Sequence, residues 1–115
     1  MSARLSLRSG SANAAPVFAA LGDETRLSLV ARLSAEGPLS IVDLSAGVRV
    51  TRQAVTKHLH ALASAGLVRG KRRPGTRQRL WQLETRRLAE ARQYLDRISE
   101  QWDGALERLR AFVET

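Results

Sequence analysis

Apolar residues recur at helical spacing over most of this chain. The pattern is interrupted at glycines and prolines and, once, by two short β-leaning runs. A first helix is predicted from about Asn13, with Pro16 tolerated in its opening turn and Val17, Phe18 and Leu21 on its apolar side; Gly22 ends it. Asp23 is a good N-cap for a second helix, in which Leu27, Val30, Ala31 and Leu33 are expected to face inward and Arg26 outward. Gly37-Pro38 stops it. Ser40 can cap a short third helix, Ile41 to Ala46, ended by Gly47. Thr51 caps a fourth, TRQAVTKHLHALASAG, with Gly66 just past its end. LVRGKRR and RQRLWQLE flank Pro74-Gly75 and read as a β-hairpin over residues 67–84. Thr85 then caps a long fifth helix, about 86–114. Residues 1–12, rich in Ser, Arg and Gly, are expected to form a disordered arm, and 13–115 a single domain.

In the last helix Leu88, Ala91, Leu95, Ile98, Trp102, Ala105, Leu109 and Phe112 follow one another at alternating spacings of three and four. That is the a/d seam of a coiled coil. The same spacing would serve a helix lying with one face on its own domain. This helix, however, is too long for a core built from so few residues. The expectation is a homodimer interface of Leu88, Leu95, Ile98, Trp102, Leu109 and Phe112, completed by Val17, Phe18 and Leu21. Gly104 weakens the helix by about 1 kcal/mol relative to Ala and lets a partner backbone approach closely.

Charge changes the picture more than composition does. The net charge is +8, yet the segment Arg49–Arg87 holds eleven basic residues and one acid, Glu84, while the rest of the chain is slightly acidic. A solvated surface normally mixes signs, so a concentrated basic segment points to a polyanionic partner. Arginine-rich composition accounts for seventeen Arg against two Lys, but not for their clustering. The absence of cysteine excludes disulfides, thiolate metal sites and cysteine nucleophiles. No apolar run approaches the roughly 20 residues of a membrane-spanning helix, and the N-terminus lacks the apolar stretch of a signal peptide. A cytoplasmic location is the expectation.

Two helices joined by a tight turn, 40–47 and 51–65, followed by a basic hairpin, make a winged helix-turn-helix. The fold class expected is therefore mostly α, five helices with a small β-hairpin wing, dimerising through the terminal helices. At about 100° per residue, Arg52, Thr56, His60, Gln53 and Lys57 fall within an arc of roughly 140° on the fourth helix. Val55, Leu59 and Leu62 lie opposite, and Ala54, Ala61 and Ala65 fill the flank. One anchored face and one polar face is the division a helix needs to enter a major groove. Arg52 and Gln53 are the candidate base readers, because Arg pairs bidentately with guanine and Gln with adenine. Thr51, Thr56, Lys57, His60, Lys71, Arg73, Arg77 and Arg79 complete the candidate DNA-binding set, with Thr56, Lys57 and the wing arginines as phosphate holders. His58, at the edge of the apolar side, is expected to be half-buried in packing or hydrogen bonding.

FAALGDETRLSLVARLSAEGPLSIVDLS and VTRQAVTKHLHALASAGLVRGKRRPGTRQRLWQL resemble the ArsR family of winged-helix repressors over about residues 16–84. The resemblance implies a homodimer joined through the first and last helices, bound to an inverted repeat near a promoter, usually in repression. It also exposes a departure. Family members that sense metals do so through cysteines in an L-C-V-C-D-L segment, where this chain has Leu39-Ser40-Ile41-Val42-Asp43-Leu44. Others use His and carboxylates on the last helix, where residues 86–115 hold no histidine. Metal sensing therefore does not carry over, and neither a metal nor another cofactor is expected.

Catalysis is not expected either, since no Ser-His-Asp set, glycine-rich phosphate loop or metal cluster is present. The competing reading is a winged-helix module that binds protein or RNA without operator specificity. Such a module would tend to lose the basic, polar arc that this chain keeps. No residue set marks a pocket for a small-molecule effector.

Overall fold

Five helices and a three-stranded antiparallel sheet make up residues 13–114, the part of the chain that the computed structural model describes. The expected disordered arm, 1–12, lies outside the described residues. In chain order the elements are α1 (13–21), α2 (Glu24–Glu36), β1 (Leu39–Ser40), α3 (Ile41–Ser45), α4 (Arg52–Ser64), β2 (Val68–Arg72), β3 (Arg79–Leu83) and α5 (Thr85–Glu114). The strands run in the order β1-β3-β2, so β3 is central.

The helix ends follow from local chemistry. Asp23 accepts the Arg26 backbone N–H at 3.0 Å, and Thr51 Oγ1 that of Ala54 at 3.1 Å. Ser40 and Asp43 form a reciprocal capping box on α3. Past α4, Gly66 takes φ +78°, with Gly66 N donating to Ala63 O and Leu67 N to Leu62 O. That pair of bonds is a Schellman motif, and the positive φ is why glycine stands there. It turns the chain directly into β2. At the wing tip Thr76 N donates to Arg73 O across Pro74-Gly75, and Gly75 has φ +76°. Proline fixes the second turn position and glycine the third.

The core is built from Val17 and Ala20 of α1, Leu29, Val30 and Leu33 of α2, Leu44 of α3, Val55, Leu59 and Leu62 of α4, and Leu67, Val68 and Trp81 around the sheet. Two expectations need correcting. On α2, Leu27 is 55% exposed and Ala31 is exposed, whereas Leu29 is fully buried. Leu27/Val30/Ala31 and Leu29/Val30/Leu33 are both helical stripes, and the second wins because it buries Leu29 while turning Arg26 inward, where its guanidinium meets Ala20 O and His58. The other correction is β1, a strand the apolar pattern does not reveal. Two residues are too short to show alternation, yet Leu39 pairs with Trp81 and Ser40 with Leu80.

The long helix α5 divides in two. Ala91 is buried, Leu88 packs on the core, and Tyr94 lies 6.3 Å from the Phe18 ring of α1. From Leu95 onward the large apolar side chains are exposed, Trp102 at 64% among them, and Ala105 is half-buried.

Leu29→Ala removes a fully buried side chain and is expected to cost about 2–5 kcal/mol. Gly66→Ala forces an L-residue into the left-handed region at about 1–2 kcal/mol and sets its Cβ 3.0 Å from Arg87 Cγ. Urea denaturation monitored by circular dichroism measures both.

Candidate nucleic-acid interface

The recognition helix α4 is held on three sides. Its apolar face, Val55, Leu59 and Leu62, has no exposure. In front of it, Arg32 of α2 donates to Asp43 O at 3.0 Å and Leu44 O at 3.1 Å, capping carbonyls at the end of α3, of which Asp43 O also accepts from Ala46 N at 3.3 Å. That fixes α3 and the turn leading to Thr51. Behind it, Arg26 Nε donates to Ala20 O at 2.6 Å and Arg26 Nη1 lies 3.5 Å from His58 Nδ1. Asp23 sits 3.8 Å from the same ring nitrogen. One half-buried cluster therefore joins the end of α1, the start of α2 and the middle of α4. Arg26, expected to face solvent, is the residue that makes the joint, and His58 is half-buried within it.

The opposite face of α4 is open. Arg52, Gln53, Lys57 and His60 are exposed, and no acid stands in the first turn to oppose a phosphate at the helix N-terminus. Thr51 and Thr56 are differently placed. The Thr51 oxygen caps the helix, and the half-buried Thr56 donates its hydroxyl to Arg52 O at 3.0 Å, so both side chains already serve the helix.

In the wing, β2 and β3 pair with Gly70 opposite Trp81, Lys71 opposite Leu80 and Arg72 opposite Arg79. Every residue from Arg69 to Arg79 is exposed, which covers the candidates Lys71, Arg73, Arg77 and Arg79. Two arginines directly across a hairpin repel, a local cost that a polyanion laid over them offsets. Arg69 is different: it pairs with Glu84 at 3.1 Å. Arg86 and Arg87 likewise meet Glu90. Removing these from the basic segment leaves the uncompensated charge on α4, the residue Arg49 just before it, and the wing. That is a tighter footprint than the sequence alone outlines.

Of the apolar candidates, Val17 belongs to the core of its own domain at 1% exposure, and Phe18, Leu21 and Leu88 pack against that core. Leu95, Ile98, Trp102, Leu109 and Phe112 share an exposed side of α5. Leu106 and Val113, outside the a/d spacing, widen it. Among the described residues no group of three or more His, Asp or Glu could hold a metal ion, and no helix is long and apolar enough to cross a membrane.

Comparison with known proteins agrees with this geometry. A family model described as a helix-turn-helix domain matches residues 21–71. The HTH-type transcriptional regulator Rv2034 of Mycobacterium tuberculosis is 42% identical over 87 residues, covering 76% of each chain. YuzN, an uncharacterized HTH-type transcriptional regulator of Bacillus subtilis, is 40% identical over 63 residues, half of this chain and 68% of that protein. The structure of an ArsR-like transcriptional regulator from Rhodococcus sp. RHA1 matches with a TM-score of 0.76 at 34% identity, over 88% of this chain and 92% of the other. The chain belongs to the ArsR family. This ArsR-family protein is a transcriptional regulator whose DNA-binding domain is the winged helix-turn-helix described above.

The joint behind α4 carries a pH signature. The Arg26 backbone N–H, with help from His58 and the Arg26 guanidinium, holds the Asp23 carboxyl below its ordinary 3.8, partial desolvation acting the other way. A depressed carboxyl contributes stability above its unfolded pKa and loses it as pH falls through the folded one. Asp23→Asn keeps an N-capping oxygen without the charge. Its urea midpoint is expected to fall less steeply than that of the parent as pH drops below about 3.8. Parallel acid limbs would dismiss the charged contact.

Proposed function

We propose that this ArsR-family regulator is a cytoplasmic homodimeric repressor that binds an inverted-repeat operator in double-stranded DNA. The observation that carries the reading is exposed, uncompensated positive charge on both α4 and the wing, two elements that meet where His60 and Arg79 lie against Trp81. Arg52 and Gln53, near the N-terminus of α4, are placed to read base edges, as the leading residues of recognition helices do. Lys57, His60, Lys71, Arg73, Arg77 and Arg79 hold phosphates around them.

One recognition helix makes too few base contacts for a useful specificity ratio, so a twofold pair is needed. The exposed side of α5 supports that pairing. Leu95, Ile98, Trp102 and Leu109, joined by Leu106, present large apolar side chains along a helix of about 45 Å. A contiguous apolar strip, here about 21 Å from Leu95 to Leu109, marks a protein contact on a regulator, and a second copy carries the same strip. Phe18, near Tyr94, and Leu21, both half-buried on α1, would complete such a contact.

Titration of the gene's own upstream DNA by gel shift tests the reading. With about 8 phosphate contacts per dimer, the log–log salt slope is expected near −7, and a slope shallower than about −3 argues that the basic face is not the DNA face. Arg52→Ala and Gln53→Ala are each expected to cost about 1–3 kcal/mol on the operator and little on random DNA.

For the dimer, Leu95→Asp combined with Ile98→Asp sets unpaired charges in the seam at a cost of several kcal/mol. The double variant is expected to sediment as a monomer at micromolar concentration and to lose operator binding. A wild type that is itself monomeric, or a variant that remains dimeric and bound, would show the seam to be something else.

A further inference from the structure

The wing and the recognition helix meet at one side chain. Trp81, on the central strand, is 4% exposed, and two residues of the basic face lie against its indole. The His60 ring of α4 is centred 6.1 Å away, tilted by 48°. The Arg79 guanidinium carbon, two residues back along β3, is 5.9 Å from the ring centroid. Arg79 takes this course for a reason visible in the register. Directly across from it stands Arg72, a like charge, and diagonally across stands Gly70. A Cβ built at Gly70 would come 2.9 Å from Arg79 Cδ. Gly70 has no left-handed backbone to require glycine, so the requirement is space: the Arg79 stem lies over the gap. Repulsion closes one direction, the missing side chain opens the other, and the π face of Trp81 receives the cation.

We infer that Gly70 and Trp81 are positioning residues for DNA recognition: they hold Arg79 across the base of the wing, against the same ring as His60, so that wing and recognition helix grip the DNA as one unit. This rests on the operator-binding reading above, with Arg79 as a phosphate contact. A phosphate-binding arginine that is fixed before contact loses less side-chain freedom on binding. It also ties the pitch of the wing to the axis of α4. A Phe or Leu at position 81 would fill the core without burying an indole N–H. Trp81 Nε1 is buried with no hydrogen-bond partner among the described residues. What tryptophan adds is the strongest π surface for a cation.

Gly70→Ala is the informative variant, because the atom it strikes belongs to a flexible, exposed side chain that can swing away without disturbing the core. Gly70→Ala, Arg79→Ala and the double variant are compared by fluorescence anisotropy on operator DNA over a range of salt. The Trp81 indole resonance, identified by its disappearance in Trp81→Phe, follows the ring by nuclear magnetic resonance. Arg79→Ala is expected to weaken binding about tenfold and to make the salt slope shallower by about 1 to 2. Gly70→Ala is expected to weaken it about threefold to fivefold with an unchanged urea midpoint. The double variant should bind no worse than Arg79→Ala. Both single variants should shift the Trp81 resonance. Additive losses, or Gly70→Ala binding like the wild type although the Trp81 resonance has moved, overturn the positioning role. Arg79→Ala binding like the wild type overturns it while leaving the operator reading standing. A wild type that does not bind the operator overturns both.

Discussion

Everything the DNA-binding side presents depends on the burial of Val55, Leu59 and Leu62 of α4 at zero exposure. A helix of thirteen residues is marginal in water on its own, and its direction is set by what it packs against. Here the anchoring is redundant. The apolar face enters the core, Arg32 fixes the helix in front, and Arg26, Asp23 and His58 fix the side behind. Arg52, Gln53 and Lys57 of the polar arc are exposed and take no part in the core, so their chemistry is free to be chosen for an external surface; His60, against the Trp81 ring, serves both sides.

Sequence legibility tracked the length of each physical signal. Helix ends were readable because capping chemistry is local: Asp23, Ser40 and Thr51 each cap the helix they precede, and Gly66 and Gly75 take the positive φ their turns require. The winged architecture was readable from one amphipathic helix beside one basic hairpin. What escaped was tertiary. The α2 face was misjudged because two overlapping stripes compete and Arg26, polar by type, lies on the buried one. Strand β1 escaped through shortness. The pairing that narrows the basic footprint is mixed: Arg69 meets Glu84 fifteen positions away, whereas Arg86 and Arg87 meet Glu90 at helical spacings of four and three. The Trp81 cluster left one trace, an unexplained glycine in a strand, which is a recognised sign of close approach by a neighbour.

The heptad in α5 shows how one periodic signal can serve two surfaces. Ala91 and Leu88 obey the same spacing as Leu95 and Ile98, yet the first pair closes the domain and the second pair remains in solvent. Spacing fixes which side of a helix is apolar and is silent on where the domain ends beneath it. Leu106 and Val113 add that the distal side is broader than an a/d seam.

The opposition of Arg72 and Arg79 across the wing has a consequence for how ions act on this protein. Dissolved salt screens the repulsion between the two side chains and so firms the unbound hairpin. The same salt weakens the attraction of that hairpin for a polyanion. One ionic atmosphere thus works in opposite directions on the two states. In dilute salt the two arginines repel most strongly, and the pull of a nucleic acid on both is strongest as well. In concentrated salt the repulsion that a polyanion would relieve has already faded, so less is gained by covering the pair.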